Sequence, residues 1–202
     1  MSESTSALPG LLPRFARDGV ALAALAMLAL LVLAALLAPW IAPQNPYDLA
    51  QLDLLDGRLA PGALAADGRV YWLGTDDQGR DIFSAILYGM RTSLLVGSLS
   101  TLGALALGLL FGLSAAWFRG WVEIFIMRVA DLQLSFPSIL IALVLLAILG
   151  QGMEKIIFAL IAVQWAYYAR TARATALAER EKDYISAATA LGLKTHRIIF
   201  RH

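Results

Sequence analysis

Charged residues leave long gaps along this chain, and the gaps predict its elements. Between Asp18 and Asp48 there is no charge, and residues 19–42 form an Ala/Leu/Val run that would measure about 36 Å as a helix, enough to cross a bilayer. A second charge-free window covers residues 92–118, where Ala104, Gly108, Gly112 and Ala116 recur every fourth position and so share one helical face. Residues 132–149 make a third window, with Pro137 expected to kink its start. The fourth charge-free run, 156–169, has only 14 residues and is marginal for spanning, so the fourth span is drawn over 156–171. A cleaved leader competes for the first window, since Arg14 and Arg17 precede it. The run is longer than a typical leader core, however, and closes on Pro39, Trp40 and Pro43 without a small-residue cleavage pattern. Trp40 suits an interfacial anchor.

Between these windows the character changes. Residues 43–91 are rich in Pro, Gly and Asp, with turn signals at Asp56-Gly57 and Asp67-Gly68 and a strand-like piece over 69–75, so they are predicted to be extramembrane. Residues 119–131 read as a short polar connection and 150–155 as a tight turn. Residues 172–202 are charged yet favour helix, with Gly192 as a break between two helices.

Composition excludes an ordinary soluble domain: 59% of the 202 residues are hydrophobic and 15% charged, against roughly 25% charged in soluble proteins. A net charge of +1 offers no basic field to nucleic acid. The absence of cysteine removes disulfides and thiolate chemistry. Where the cations sit is more informative. Seven Lys and Arg fall in the tail from Arg170, while the 43–91 segment holds four against seven Asp. The basic tail is therefore expected in the cytoplasm, with residues 1–18 and 119–131 on the same side and 43–91 and 150–155 outside. The expected fold is an all-α integral membrane protein of about four transmembrane helices.

Candidate chemistry is sparse. No phosphate-binding loop, His-Glu-x-x-His or Gly-x-Ser-x-Gly occurs, and the histidines are His196 and His202, so an intramembrane enzyme lacks both nucleophile–base pair and metal-ligand set. Gln133 and Gln164 are the candidate pathway residues, because an amide in hydrocarbon requires a partner from another helix or from water. Ser98, Ser100, Thr101 and Ser135 more readily satisfy a neighbouring carbonyl. In the tail, residues 184–191 predict a short helix whose small face, Ala187, Ala188 and Ala190, could seat in a shallow groove, with Gly192 ending it. Docking to a partner and lying on anionic lipid are both open to such an element.

Three segments stand out: the run Leu73-Gly-Thr-Asp-Asp-Gln-Gly-Arg-Asp-Ile-Phe-Ser84, continuing to Tyr88-Gly-Met-Arg-Thr-Ser-Leu94; the run Arg128-Val-Ala-Asp-Leu-Gln-Leu-Ser-Phe-Pro-Ser138; and the tail from Asp183. Together they resemble a known family, the inner-membrane permease subunits of bacterial binding-protein-dependent ABC importers in the dipeptide/oligopeptide/nickel group. The resemblance implies an outer signature at Gly74, Thr75, Asp76, Gly79, Arg80 and Asp81. It also implies a cytoplasmic coupling helix contacting the ATPase through Tyr184, Ser186, Ala187, Ala188, Leu191 and Gly192. Ser186 stands where the family pattern has an acidic residue, which removes one salt-bridge contact. Residues 92–202 would be part of the family's transmembrane domain, whose six-helix pattern continues past His202 with an Ile-Leu-Pro element and two more spans, so the chain is expected to be most of a permease.

The implied partners are a second permease subunit, two ATP-binding subunits that hold ATP and Mg²⁺, an extracytoplasmic solute-binding protein and membrane lipid, with no cofactor in this chain. Peptides are the expected solute, nickel or another small solute the alternative, and a non-transporting membrane scaffold a second class. Within the outer signature, Asp76 or Asp77 is expected to cap a helix starting near Asp81, and Arg80 to pair with a carboxylate.

Overall fold

The computed structural model describes residues 13, 15–65, 68–185 and 191. Ser186, Ala187, Ala188 and Gly192 of the expected coupling helix lie outside the described residues. The chain divides into two compact units, Met1–Leu95 and Val96–His202.

In the first unit, helix α1 spans Gly19–Leu36. Asp18 starts it: one carboxylate oxygen accepts from the N–H groups of Val20 at 3.0 Å and Ala21 at 3.2 Å, satisfying donors that a helix start leaves orphaned. The single turn α2, Ala38–Ile41, follows with Pro39 in its first turn. Ala35 is the buried residue of α1; the rest of this uniformly apolar helix is open to lipid or to other helices. Beyond it the chain folds back in short pieces. Two 3-10 turns, Leu49–Gln51 and Leu54–Asp56, are each opened by an aspartate, Asp48 or Asp53, accepting from the N–H two residues on. A two-stranded antiparallel ribbon pairs β1 (Ala63–Leu64) with β2 (Val70–Tyr71), setting Ala63 opposite Tyr71.

Helix α3, Ile82–Phe118, begins in the first unit and continues into the second. Its 37 residues extend about 55 Å, well beyond a hydrocarbon core of about 30 Å. It therefore starts ten residues before the charge-free window and carries Arg91 within it. A helix begins where its cap is, and charge alone does not stop it.

In the second unit, α3 ends where Arg119 (φ 50°) and Gly120 (φ 55°) take left-handed backbone. Helix α4 follows at once, Gly120–Leu134, so the polar connection expected over 119–131 is mostly helical. Helix α5, Ser138–Leu149, leaves at 92° to α4 across Ser135, Phe136 and Pro137, the break the proline predicts. A turn with Gly150 at φ 84° and Gly152 at φ 145° leads into α6, Met153–Arg180.

The first, second and fourth charge-free runs are thus mainly helical, and the third is helical on either side of its break at residues 135–137. By length and composition α1 and α3 can each cross a membrane, and α4 with α5 adds a third crossing if the bent pair is one span. The fourth window sits inside α6, a 28-residue helix whose apolar middle is bounded by Glu154 and Lys155 on one side and Arg170 and Arg173 on the other.

The seam between α3 and α6 is made of small residues. Ala104, Ala115 and Ala116 on α3 and Ala159, Ala166 and Ala169 on α6 are buried. A Cβ on Gly108 would stand 2.3 Å from Cβ of Tyr168 and 3.0 Å from the Trp165 carbonyl oxygen. On Gly112 it would stand 2.4 Å from the Ala169 carbonyl oxygen. The four-residue spacing of small residues is therefore a close-approach face, and its partner is α6.

Candidate functional site

Each unit holds one candidate region. In the first unit the outer signature is the frame on which the segment after α1 is folded. Gly74 (φ 79°) and Gly79 (φ 75°) sit in left-handed backbone, and an added Cβ would lie 2.4 Å from the Leu59 carbonyl oxygen and 2.0 Å from that of Asp53. Only glycine fits either place. Thr75 pairs with Asp81 in an isolated antiparallel bridge. Its hydroxyl donates to the Asp56 carbonyl and accepts from the Leu59 N–H at 2.8 Å. The Asp56 carboxylate in turn accepts from the buried Tyr71 hydroxyl at 2.9 Å.

The helix cap differs from the expectation. Asp81 itself caps α3, its Oδ2 accepting from the N–H of Ser84 at 2.9 Å and from the Ser84 hydroxyl. Asp76 closes the preceding turn by accepting from the N–H groups of Gln78 at 2.8 Å and Arg80 at 3.0 Å. Asp77 pairs with Arg58 at 2.6 Å on an exposed surface. Arg80 donates to the Gln78 side-chain amide.

Sequence reasoning missed Gln44, which is 2% exposed and locks this frame. Its amide donates to the Gln51 carbonyl at 2.7 Å and accepts from the Asp81 N–H at 2.7 Å, and its own N–H donates to the Ser84 hydroxyl at 3.2 Å. A lone Gln in a Pro-rich stretch carries no pattern that could have flagged it.

In the second unit the two glutamines part company. The Gln133 amide nitrogen donates to the carbonyls of Ala162 at 2.9 Å and Val163 at 2.7 Å, and its oxygen accepts from the Trp165 indole N–H at 2.9 Å. Trp165 stacks edge-on against Phe111 of α3, with ring centroids 5.2 Å apart. Gln133 is thus a tie joining α4 to α6, with its hydrogen-bonding groups engaged. Gln164, next to that tie, is half-buried and has no hydrogen-bond partner among the described residues. The hydroxyl of Ser100 bonds back to the Val96 carbonyl at 2.7 Å and that of Ser135 to the Asp131 carbonyl at 2.7 Å, within their own helices.

Toward its C-terminal end α6 is braced by arginines. Arg170 pairs with Asp131 and Arg173 with Glu123, both on α4. Arg180 donates to the carbonyls of Ala116 at 3.0 Å and Trp117 at 3.1 Å, the last turn of α3, and lies 5.1 Å from the Trp117 ring centroid. It therefore serves as a C-terminal cap supplied by another helix. An open, mainly apolar groove of about 460 Å³ lies between the two helices here, lined by Leu109, Leu113, Thr175, Glu179 and Tyr184 among others.

Glu179 accepts from the Lys182 ammonium at 2.7 Å and from the Tyr184 hydroxyl at 2.8 Å. These two bonds hold the Glu179 carboxyl below its ordinary range, while the carboxylate raises both Lys182 and Tyr184. Tyr184 thus stands at the end of α6, and Leu191 is exposed.

Apolar helices, one carrying a folded polar segment at its start and another ending in a charged, braced terminus, define a multi-pass α-helical membrane protein. The family model for the binding-protein-dependent transport system inner membrane component matches residues 108–202, and that for the N-terminal TM domain of oligopeptide transport permease C matches residues 11–61. The chain belongs to this family of transport permease components.

Among its relatives are the dipeptide transport system permease protein DppC of Alkalihalophilus pseudofirmus, 36% identical over 92% of this chain and 58% of the relative, and the glutathione transport system permease protein GsiD of Pectobacterium atrosepticum, 36% identical over 94% and 60%. The oligopeptide transport system permease protein OppC of Bacillus subtilis is 31% identical over 94% and 59%. The chain spans about three fifths of the length of these relatives.

Proposed function

We propose that this chain is a pathway-forming subunit of an ABC importer for short peptides, moving them across the inner membrane on energy from ATP hydrolysed in separate chains. The observation that carries the reading is α6. It is one unbroken helix from its apolar middle to Arg180, and it is gripped near its end by Asp131, Glu123 and the last carbonyls of α3. Force applied beyond Arg180 would move α6, α4 and the end of α3 together. The names of the relatives, for dipeptide, oligopeptide and glutathione transport, favour a peptide substrate.

In this reading Tyr184, Ser186, Ala187, Ala188, Leu191 and Gly192 contact the ATPase on the cytoplasmic side, where the N-terminus also lies. ATP and Mg²⁺ are held by two such partners, a second permease completes the pathway, and a solute-binding protein delivers peptide at the outer signature. Gln164, with an unused amide half-buried on α6, is the pathway residue, and Gln133 holds that stretch of helix in place. The test is association. With the permease and its ATPase coexpressed, removal of residues 184–193 should abolish copurification, whereas the intact chain retains the ATPase. Undiminished copurification after the deletion would overturn the coupling assignment.

A further inference from the structure

Helix α4 has two faces of different chemistry. Toward α6 it turns Glu123 and Asp131, which are taken up by Arg173 and Arg170, together with the buried Ala130. Away from it, Trp121, Phe125, Arg128 and Leu132 are separated by four, three and four residues and so form one ridge. The three apolar members are 86%, 68% and 65% exposed. Arg119 and Arg128 are exposed and form no ion pair among the described residues. With both carboxylates of the helix engaged on the other face, the outward face is apolar and purely cationic.

Geometry adds a second constraint. Helix α5 is wholly apolar and stands at 92° to α4. If α5 runs along the membrane normal, α4 lies in the membrane plane. The level of its N-terminal part is set by Arg173 and by the end of α3, which Arg180 binds, both at the charged end of α6, while Gln133 at its far end reaches the Ala162 and Val163 carbonyls, so the C-terminal end of α4 enters the apolar layer. An aromatic and cationic ridge parallel to a membrane surface matches an interfacial helix, with tryptophan and phenylalanine among the acyl-chain ends and arginine reaching the headgroups.

We propose that α4 is such an interfacial helix and that Trp121, Phe125 and Leu132, with Arg119 and Arg128, bind anionic phospholipid in the leaflet on the side of the α6 C-terminus. The charge pattern favours phosphate-bearing headgroups of net negative charge over zwitterionic ones. This inference depends on membrane embedding alone and is independent of the ATPase or the solute.

The experiment uses the absence of native cysteine. The full chain carrying Phe125→Cys, labelled with bimane, is reconstituted in phosphatidylcholine vesicles, or in vesicles of phosphatidylcholine and phosphatidylglycerol in equal parts, doped with headgroup-matched nitroxide lipid. Quenching by the nitroxide lipid is expected to exceed quenching by aqueous iodide, and to be stronger for nitroxide phosphatidylglycerol than for nitroxide phosphatidylcholine. Arg119→Gln and Arg128→Gln should each lower that preference about fivefold, with far-ultraviolet circular dichroism unchanged. Iodide quenching above lipid quenching would place the face in water and overturn the proposal. Protection from both quenchers, meaning that protein covers the face, would overturn it equally. Equal quenching by the two lipids would overturn the anionic preference.

Discussion

Replacing Gly112 by alanine tests whether the α3–α6 seam is set by backbone contact. The new Cβ would be 2.4 Å from the Ala169 carbonyl oxygen and 2.8 Å from Cβ of Ala172, about 1 Å inside ordinary van der Waals separation. Neither neighbour can swing aside, since one is main chain and the other is the first carbon of a side chain. The helices must part, and overpacking of this kind costs about 1–3 kcal/mol. Gly108→Ala, 2.3 Å from Cβ of Tyr168, should cost a similar amount, and the double variant less than the sum because both act on one gap.

Two other glycines on α3 supply the contrast. At Gly103 the nearest atom is the terminal methyl of Ile161, 2.5 Å away, which can rotate, so Gly103→Ala should cost below about 1 kcal/mol. At Gly97 a Cβ would meet nothing within 4 Å, and alanine there should stabilise the helix by about 0.5–1 kcal/mol. The assay is unfolding of the detergent-solubilised chain by rising sodium dodecyl sulfate, followed by tryptophan emission. Equal midpoints for all four variants, or a midpoint for Gly112→Ala at or above that of Gly97→Ala, would refute the reasoning.

Other expectations follow from the polar contacts. Gln133→Leu leaves the Trp165 indole N–H without its acceptor and should lower the same unfolding midpoint by about 1–2 kcal/mol. Gln164→Leu, where no bond is lost, should leave the midpoint unchanged, and under the proposed function it should reduce peptide uptake by the assembled transporter. Arg173→Glu and Glu123→Arg should each destabilise by about 1–2 kcal/mol, and the double exchange should recover most of that in a double-mutant cycle. The contacts among Glu179, Lys182 and Tyr184 set a pH window. The lowered Glu179 supports the folded turn above the ordinary carboxylate range and loses that support as pH falls through its own lower value. The raised Lys182 and Tyr184 support it below their ordinary ranges and lose that support as pH rises through their higher values. A nitroxide on Glu181→Cys should therefore be least mobile near neutral pH and gain mobility in both acid and strong base.

The helices were legible in the chain because hydrocarbon demands long charge-free runs, and each such run here is helical apart from the break at residues 135–137 in the third. Their limits were not, because a charge ends a lipid-exposed run without ending a helix. Arg91 lies within α3, and Glu123 and Asp131 lie within α4, where Arg173 and Arg170 from α6 receive them. Those partners are 39 and 50 residues away, a separation at which local pattern carries no information. The same holds for the glycines. Their spacing of four put them on one helical face, but only the fold shows that the face is a close approach and names Ala169 and Tyr168 as what is approached. In the outer signature the sequence marks two glycines and several aspartates without ranking them. The left-handed backbone at Gly74 and Gly79, the bridge from Thr75 and the cap by Asp81 show that these residues first build the turn from which α3 starts. Since Gln44 locks that turn to the chain leaving α1 and α2, this part of the 43–91 segment is held as a rigid piece. A surface fixed in this way, unlike a loose loop, can dock a partner without the ordering cost a loop would incur on binding.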